Sequence, residues 1–291
     1  MDIAKVIREN RPNVTDSTIK TYSSILRSLF KNCYHNDKEM SLAKFKHNDT
    51  IHAHLMDFPV ATRKTKLAAL VVLTGDPEYS KMMAEDRKEV DDNNMKQKKN
   101  EKQEEGMITM DEVAEIYKDV DANARVHLMK KKLDTSDLMQ IQKWILLSLT
   151  SGLFIAPRRS ADWLMKWRNY DEEKDNYVDI KNGSFVFNHF KTVKIYGKQM
   201  VEIPKGLKVN LNKWFKVNPT DYVLFDKDMK PLSSSQITHK LNDIFKKNIS
   251  TSMLRHIFLT HKFGNVNLQE IADTAQAMGT SGDEALQYVK R

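Results

Sequence analysis

The chain has 291 residues, enough for two domains with cores of their own. It carries 47 Lys and Arg against 39 Asp and Glu, a formal charge of +8, which suits a polyanionic partner, nucleic acid first and an acidic membrane surface second. A single cysteine, Cys33, excludes an intrachain disulfide and a cysteine-built metal site and fits a reducing interior, and no apolar run reaches signal-peptide or membrane-spanning length.

Residues 1–80 read as a small helical domain. Thr15 or Asp16 caps a helix carrying Ile19, Tyr22, Ile25, Leu26, Leu29 and Phe30 at three-to-four spacing. A second helix covers about residues 62–73, with Leu67, Leu70 and Val71 on one face, and ends at Thr74-Gly75. Its other face holds Arg63, Lys64 and Lys66, and Lys44, Lys46 and His47 precede it. Such residues suit a DNA backbone, although a solvated helix face is the commoner role for any one of them. Residues 81–106 are dense in Lys, Glu and Asp and lack aromatics. They are expected to form a charged linker, partly helical through mixed-sign pairing.

The second domain spans 107–291. Thr109 with Glu112 forms a capping box for a short helix over 110–117. Residues 134–136 open a nearly all-apolar helix (Leu138, Ile141, Trp144, Ile145, Leu149) that Gly152 stops, the spine of the domain. The segment I-A-P-R-R-S-A-D-W follows, where Pro157 suits a first helical turn and Arg159 and Asp162 fall at i, i+3, so that the carboxylate can orient the guanidinium. Residues 177–180 and 185–188 flank Asn182-Gly183 and predict a hairpin. A further hairpin is expected to turn near Gly197, carrying Lys191 and Lys194. Beyond Pro204 the pattern is helical again, with Leu207, Leu211, Trp214 and Phe215 on one face. A helix capped at 233–235 follows, bearing Ile237, Leu241, Ile244 and Phe245.

The last stretch carries the chemistry. Residues 250–252 cap a helix whose apolar face is Met253, Leu254, Ile257 and Phe258, while Ser252 and Arg255 share another face near its N-terminus, a natural seat for phosphate. Gly264 ends this helix, Asn267 with Glu270 caps the next, which runs to Gly279, and Ser281 or Asp283 caps a final short helix holding Leu286 and Tyr288. Arg255 can fork onto two phosphate oxygens, and Tyr288 can attack phosphorus and form a covalent ester. Alone, Tyr288 reads more readily as a ring packed in a terminal helix.

Together these residues resemble the catalytic domain of tyrosine recombinases, the phage-integrase family, which orders its groups as Arg, Lys on a β-hairpin, His-x-x-Arg, His or Trp, and Tyr. On that resemblance the first Arg is Arg159, with Arg158 second. The Lys is Lys191, with Lys194 second. Arg255-His256 supplies the second Arg and the residue after it, and Tyr288 is the nucleophile. The family's first His is Ser252 here and its His or Trp is Thr280, both hydroxyls able to contact a phosphate but not to serve as a general acid near neutral pH. The wording P-R-R-S-A-D-W and K-T…Y-G is most similar to recombinases of eukaryotic DNA viruses, virophages and large self-synthesising transposons.

The resemblance implies a mainly α fold with a small antiparallel β-sheet: a helical N-terminal core-binding domain (1–80) and an α+β catalytic domain (107–291). It implies cleavage and rejoining of double-stranded DNA through a 3′-phosphotyrosyl intermediate, without metal or cofactor, by a homo-oligomer (a tetramer) on DNA. It also implies an intracellular location with DNA, the host nucleus or a viral replication site, and no membrane. Only three residues follow Tyr288, so the longer tail that many relatives exchange between protomers is absent or lies outside this sequence. Two other readings stay open: a type IB topoisomerase, and a DNA-binding relative with impaired catalysis.

Overall fold

Capping side chains start most helices, and the computed structural model shows where each begins and ends; it describes residues 1–37, 39–95, 99, 101–263 and 268–289. The chain divides into two units, Met1–Lys96 and Gln97–Arg291. In the first, Asp2 caps α1 (Ile3–Asn10), Thr15 caps α2 (Asp16–Cys33) and Asn48 caps α3 (Asp49–Met56), each accepting a backbone N–H of its first turn. α4 (Val60–Thr74) stops where Gly75 turns left-handed at φ 66°. Its core gathers Ile7, Leu26, Leu29, Phe45, Leu55, Leu67 and Leu70.

The expected linker is not a linker as far as Met95. Residues 81–95 belong to α5 (Pro77–Met95), which packs against α4. Tyr79, Met82, Met83 and Asp86 form its inward stripe, and the last member is a carboxylate. Arg63 meets Asp86 bidentately at 2.6 and 2.9 Å, with side chains 14% and 6% exposed. A helix whose buried face ends in an ion pair has no apolar signature in the sequence. The same pairing removes Arg63 from the expected basic face, and Lys66 lies over the Phe58 ring at 4.1 Å; Lys44 pairs with Asp37.

The second unit opens with α6 (Glu101–Gly106) and α7 (Met110–Leu128). α7 has the Thr109–Glu112 capping box and runs 11 residues beyond the expected end. Asp134 caps α8 (Thr135–Thr150), against which α7 packs. α8 is buried nearly all round, and its polar groups are satisfied inside: Gln142 exchanges two hydrogen bonds with the Phe225 backbone at 2.7 and 2.8 Å.

The segment after α8 is extended through Arg158 and Arg159 and makes a single 3₁₀ turn (Ser160–Trp163) instead of the expected helix. β1 (Tyr177–Asp179) and β2 (Ser184–Phe187) pair antiparallel around Asn182-Gly183, with Tyr177 opposite Val186. Gly183 sits at φ 69°. β2 then pairs with β3 (Gln199–Glu202), giving the order β1-β2-β3. The expected second hairpin is therefore a longer connection, with α9 (Val193–Tyr196) inside it and Gly197 closing that helix. α10 (Lys205–Phe215) and α11 (Ser234–Phe245) pack on α8. α12 (Thr251–Phe263), α13 (Leu268–Ala277) and α14 (Gly282–Leu286) complete the unit. The expected stop at Gly264 and cap at Asn267 lie outside the described residues. Among the described residues no helix is long and apolar enough to cross a membrane.

Candidate active site

The C-terminal segment is held by its own small core. Leu259 and Phe263 of α12, Ile271, Ala275 and Met278 around α13, and Ala285 and Val289 pack together. Ser281 caps α14, accepting the Glu284 N–H, and the chain leaves that turn with Tyr288 returned against α12. His256 completes the attachment. Its ring meets the Tyr288 ring edge-on at 4.6 Å, and its Nδ1 lies 2.8 Å from the Tyr288 carbonyl oxygen. A carbonyl only accepts, so Nδ1 carries the proton; Nε2 then accepts from Gln103 at 3.3 Å.

Arg255 and Tyr288 meet as the sequence suggests. Arg255 Nη1 donates to the Tyr288 hydroxyl at 2.8 Å, and its guanidinium lies over the phenol ring at 4.3 Å. Arg255 is 1% exposed. Its Nε and Nη2 are buried with no hydrogen-bond partner among the described residues. Burial pushes its pKa down, against the pull of Tyr288. An unmatched donor in the interior costs about 1–3 kcal/mol, more when charged, and such donors cluster where a ligand supplies the partner.

The adjacent arginines divide into two roles, and the pairing expected for Asp162 changes. Asp162 binds Arg158, not Arg159: Arg158 Nε donates to its carboxylate at 3.0 Å, and the two side chains are 0% and 1% exposed. Arg158 also reaches the Gln199 side chain at 2.9 Å and the Ala277 carbonyl at 2.7 Å, and lies over the Phe187 ring at 3.9 Å. It is locked inside the fold. Arg159 is 16% exposed. It donates to the Gly279 carbonyl at 2.9 Å and stands 3.5 Å from a Glu284 oxygen. The reason is backbone geometry: Arg159 has extended dihedrals (φ −68°, ψ 152°), whereas the i, i+3 argument presupposed a helix.

Glu284 is the site residue that the sequence reading missed. Burial raises its pKa, but the Thr280 hydrogen bond and the charges of Arg159, Lys191 and Arg255 outweigh burial and hold it below the usual carboxylate value. It is therefore an anion in the midst of the cations. Its spacing from Tyr288, one helical turn, was the available signal. Lys191 is exposed on the β2–β3 connection with its charge felt at Glu284, while Lys194 sits on α9, also exposed. Ser252 is exposed in the first turn of α12. Thr280 is 0% exposed, and its hydroxyl donates to the Glu284 carboxylate at 2.6 Å, so in this structure its partner is Glu284.

No protein-family model and no curated protein matches this sequence. Solved structures do match. A lambda integrase dimer bound to a COC′ core site superposes with a TM-score of 0.51 at 13% identity, over 97% of this chain and 75% of that one. A lambda integrase tetramer bound to a Holliday junction gives 0.50 at 12%, over 99% and 75%, and a lambda integrase fragment, residues 75–356, gives 0.50 at 13%, over 96% and 90%. The chain thus has the tyrosine-recombinase fold, mainly helical with a small three-stranded antiparallel sheet.

Proposed function

We propose that this chain is a site-specific DNA recombinase or integrase, with Tyr288 as nucleophile. The observation that carries the reading is the buried guanidinium of Arg255, hydrogen-bonded to the Tyr288 hydroxyl and left with two unmatched donors beside it. The scissile phosphate would engage those donors and Arg159. Tyr288 Oη attacks phosphorus in line, its proton passing to solvent. The P–O5′ bond breaks, leaving a 3′-phosphotyrosyl ester, and Lys191 gives its proton to the departing 5′ oxygen. A 5′-hydroxyl then reverses the step, which conserves the bond energy without a nucleotide cofactor. Each arginine donor is worth about 2.7–4 kcal/mol by analogy with oxyanion-hole deletions, and the general acid about 10²–10⁴-fold.

The first unit would serve as the core-binding domain and the second as the catalytic domain, acting as an oligomer, in the manner of a tetramer, on double-stranded DNA inside a cell. The P-R-R-S-A-D-W and K-T…Y-G wording supports an origin among eukaryotic DNA viruses and mobile elements. The test is covalent trapping on a nicked suicide duplex. Tyr288→Phe should abolish the adduct and leave DNA binding intact; an adduct with the Phe variant would refute the assignment of Tyr288. The burial of Thr280 favours one second reading, a DNA-binding relative with impaired catalysis. Normal DNA binding by the wild-type chain with no adduct on any nicked duplex would select it.

A further inference from the structure

The end of α13 is docked onto the β2–β3 connection through its carbonyls. A helix C-terminus leaves its last carbonyls without intrahelical partners, and here side chains supply them. Gln199 Nε2 donates to the Gln276 carbonyl at 3.2 Å and Arg158 to that of Ala277 at 2.7 Å. Arg159 and Thr192 both donate to the Gly279 carbonyl, Arg159 at 2.9 Å. The Tyr196 hydroxyl donates to the Thr280 carbonyl at 2.9 Å. Two of these donors, Thr192 and Tyr196, come from the β2–β3 connection, Thr192 directly after Lys191, and a third, Gln199, opens β3. The acceptors lie in the segment that continues directly into α14 and Tyr288. Gly279 permits the arrangement because it turns left-handed at φ 68° and brings its carbonyl to two donors at once.

Among the described residues Lys191 has no such anchor of its own, being exposed on a connection whose short helix α9 buries no residue fully. A flexible lysine on such a connection would lose much of its worth as an acid, since proton transfer needs heavy atoms at about 2.6–3.2 Å. We propose that Thr192 and Tyr196 are positioning residues, which latch the Lys191 connection to the Tyr288 segment so that acid and nucleophile stay in register. The latch uses hydroxyl groups that both donate to backbone carbonyls. It rests on the reading of Lys191 as general acid and Tyr288 as nucleophile.

A change of leaving atom separates positioning of the acid from general damage. With the natural oxygen, the P–O5′ bond breaks and the oxygen takes the Lys191 proton to leave as a hydroxyl. With sulfur in the bridging position, the P–S bond breaks and a thiolate leaves without a proton, because thiol pKa values lie near about 8.5 while an alkoxide is nearly as basic as hydroxide (water, about 15.7). The full-length chain and its variants Lys191→Ala, Thr192→Val and Tyr196→Phe are compared on a nicked duplex that the wild type cleaves, with oxygen or sulfur at that position. Both hydroxyl deletions keep side-chain shape and lie on the half-exposed connection, and tryptophan fluorescence checks the fold.

On the oxygen substrate T192V and Y196F should each form adduct about tenfold more slowly, and K191A about 10²–10⁴-fold more slowly. On the sulfur substrate all should come within about twofold of wild type. If K191A is rescued while T192V and Y196F keep their defect, the latch is mere packing and the proposal fails; it fails equally if neither variant is slow with oxygen. If K191A itself is not rescued, Lys191 is not the acid, and the underlying reading falls and takes the proposal with it.

Discussion

Replacing each of the neighbouring arginines by methionine should give opposite results, and the size of the difference follows from burial. Arg158→Met leaves Asp162, 1% exposed, as a buried carboxylate without its counter-ion. Breaking such a pair from one side costs about 3–5 kcal/mol. The upper limit is set by neutralisation: burial already pushes the Asp162 pKa up against the pull of Arg158, and without that counter-ion the group folds protonated. Neutralising a carboxyl of ordinary pKa about 3.9 at pH 7 costs about 4 kcal/mol. For a unit of about 150–250 residues, where 1 kcal/mol moves the melting point by about 2–4 °C, the expected fall is about 6–20 °C.

The pH dependence has a definite sign. A folded-state pKa pushed further above the unfolded one makes the folded form bind the extra proton, so the R158M defect grows as pH rises and shrinks towards pH 5. Arg159→Met removes one hydrogen bond to Gly279 and a 3.5 Å approach to Glu284, worth about 0.5–1.5 kcal/mol. It should melt within a few degrees of wild type while losing about 10²–10³-fold in adduct formation. Trp144, Trp163, Trp167 and Trp214, all the tryptophans of the chain, belong to the second unit, so their fluorescence reports its melting alone. An R158M midpoint within 2 °C of wild type at pH 7, or an R159M midpoint as low as that of R158M, would refute the division of roles.

Three further outcomes are expected. Gly279→Ala forces a left-handed residue, about 1–2 kcal/mol, and brings its Cβ to 3.0 Å from Arg158 Nη2 and 3.2 Å from the Phe190 ring; the fluorescence midpoint in denaturant should fall, and an unchanged midpoint would contradict the tight fit. The hydrogen bonds from Lys130, then His127, hold the Asp137 carboxyl far below its usual range. A depressed folded pKa stabilises fully above the unfolded value of about 3.9 and is lost as pH falls below it, so Asp137→Asn should lower stability at pH 6 and converge on wild type in strong acid, whereas a constant gap would exclude the linkage. In the first unit, Arg63→Met should speed hydrogen exchange along α5 about ten- to a hundredfold, since a charged hydrogen-bonded pair is worth about 1.5–3 kcal/mol; unchanged protection would mean that α5 is held by its apolar stripe alone.

Local chemistry is written where it acts, which is why much of this chain was legible. Asn182-Gly183 specifies its hairpin because only certain residues adopt the turn's backbone angles. Thr109, Asp134, Ser233 and Ser281 specify helix starts because each cap bonds a group three residues away. The apolar spacing of α8 predicted a buried spine, and the family resemblance set Arg255 beside Tyr288, where the two do meet.

What only the tertiary structure decided depends on partners distant in sequence. Asp86 turns a charged stretch into a packed helix because Arg63 waits 23 residues earlier. Asp162 belongs to Arg158 because the backbone at Arg159 is extended rather than helical, which removes the i, i+3 pairing. Thr280 faces inward and Glu284 gathers the cations because α13 and α14 fold back onto the β2–β3 connection. Whether a charge is buried and paired, or free to meet a phosphate, depends on which remote groups reach it, and a local sequence pattern does not contain that information.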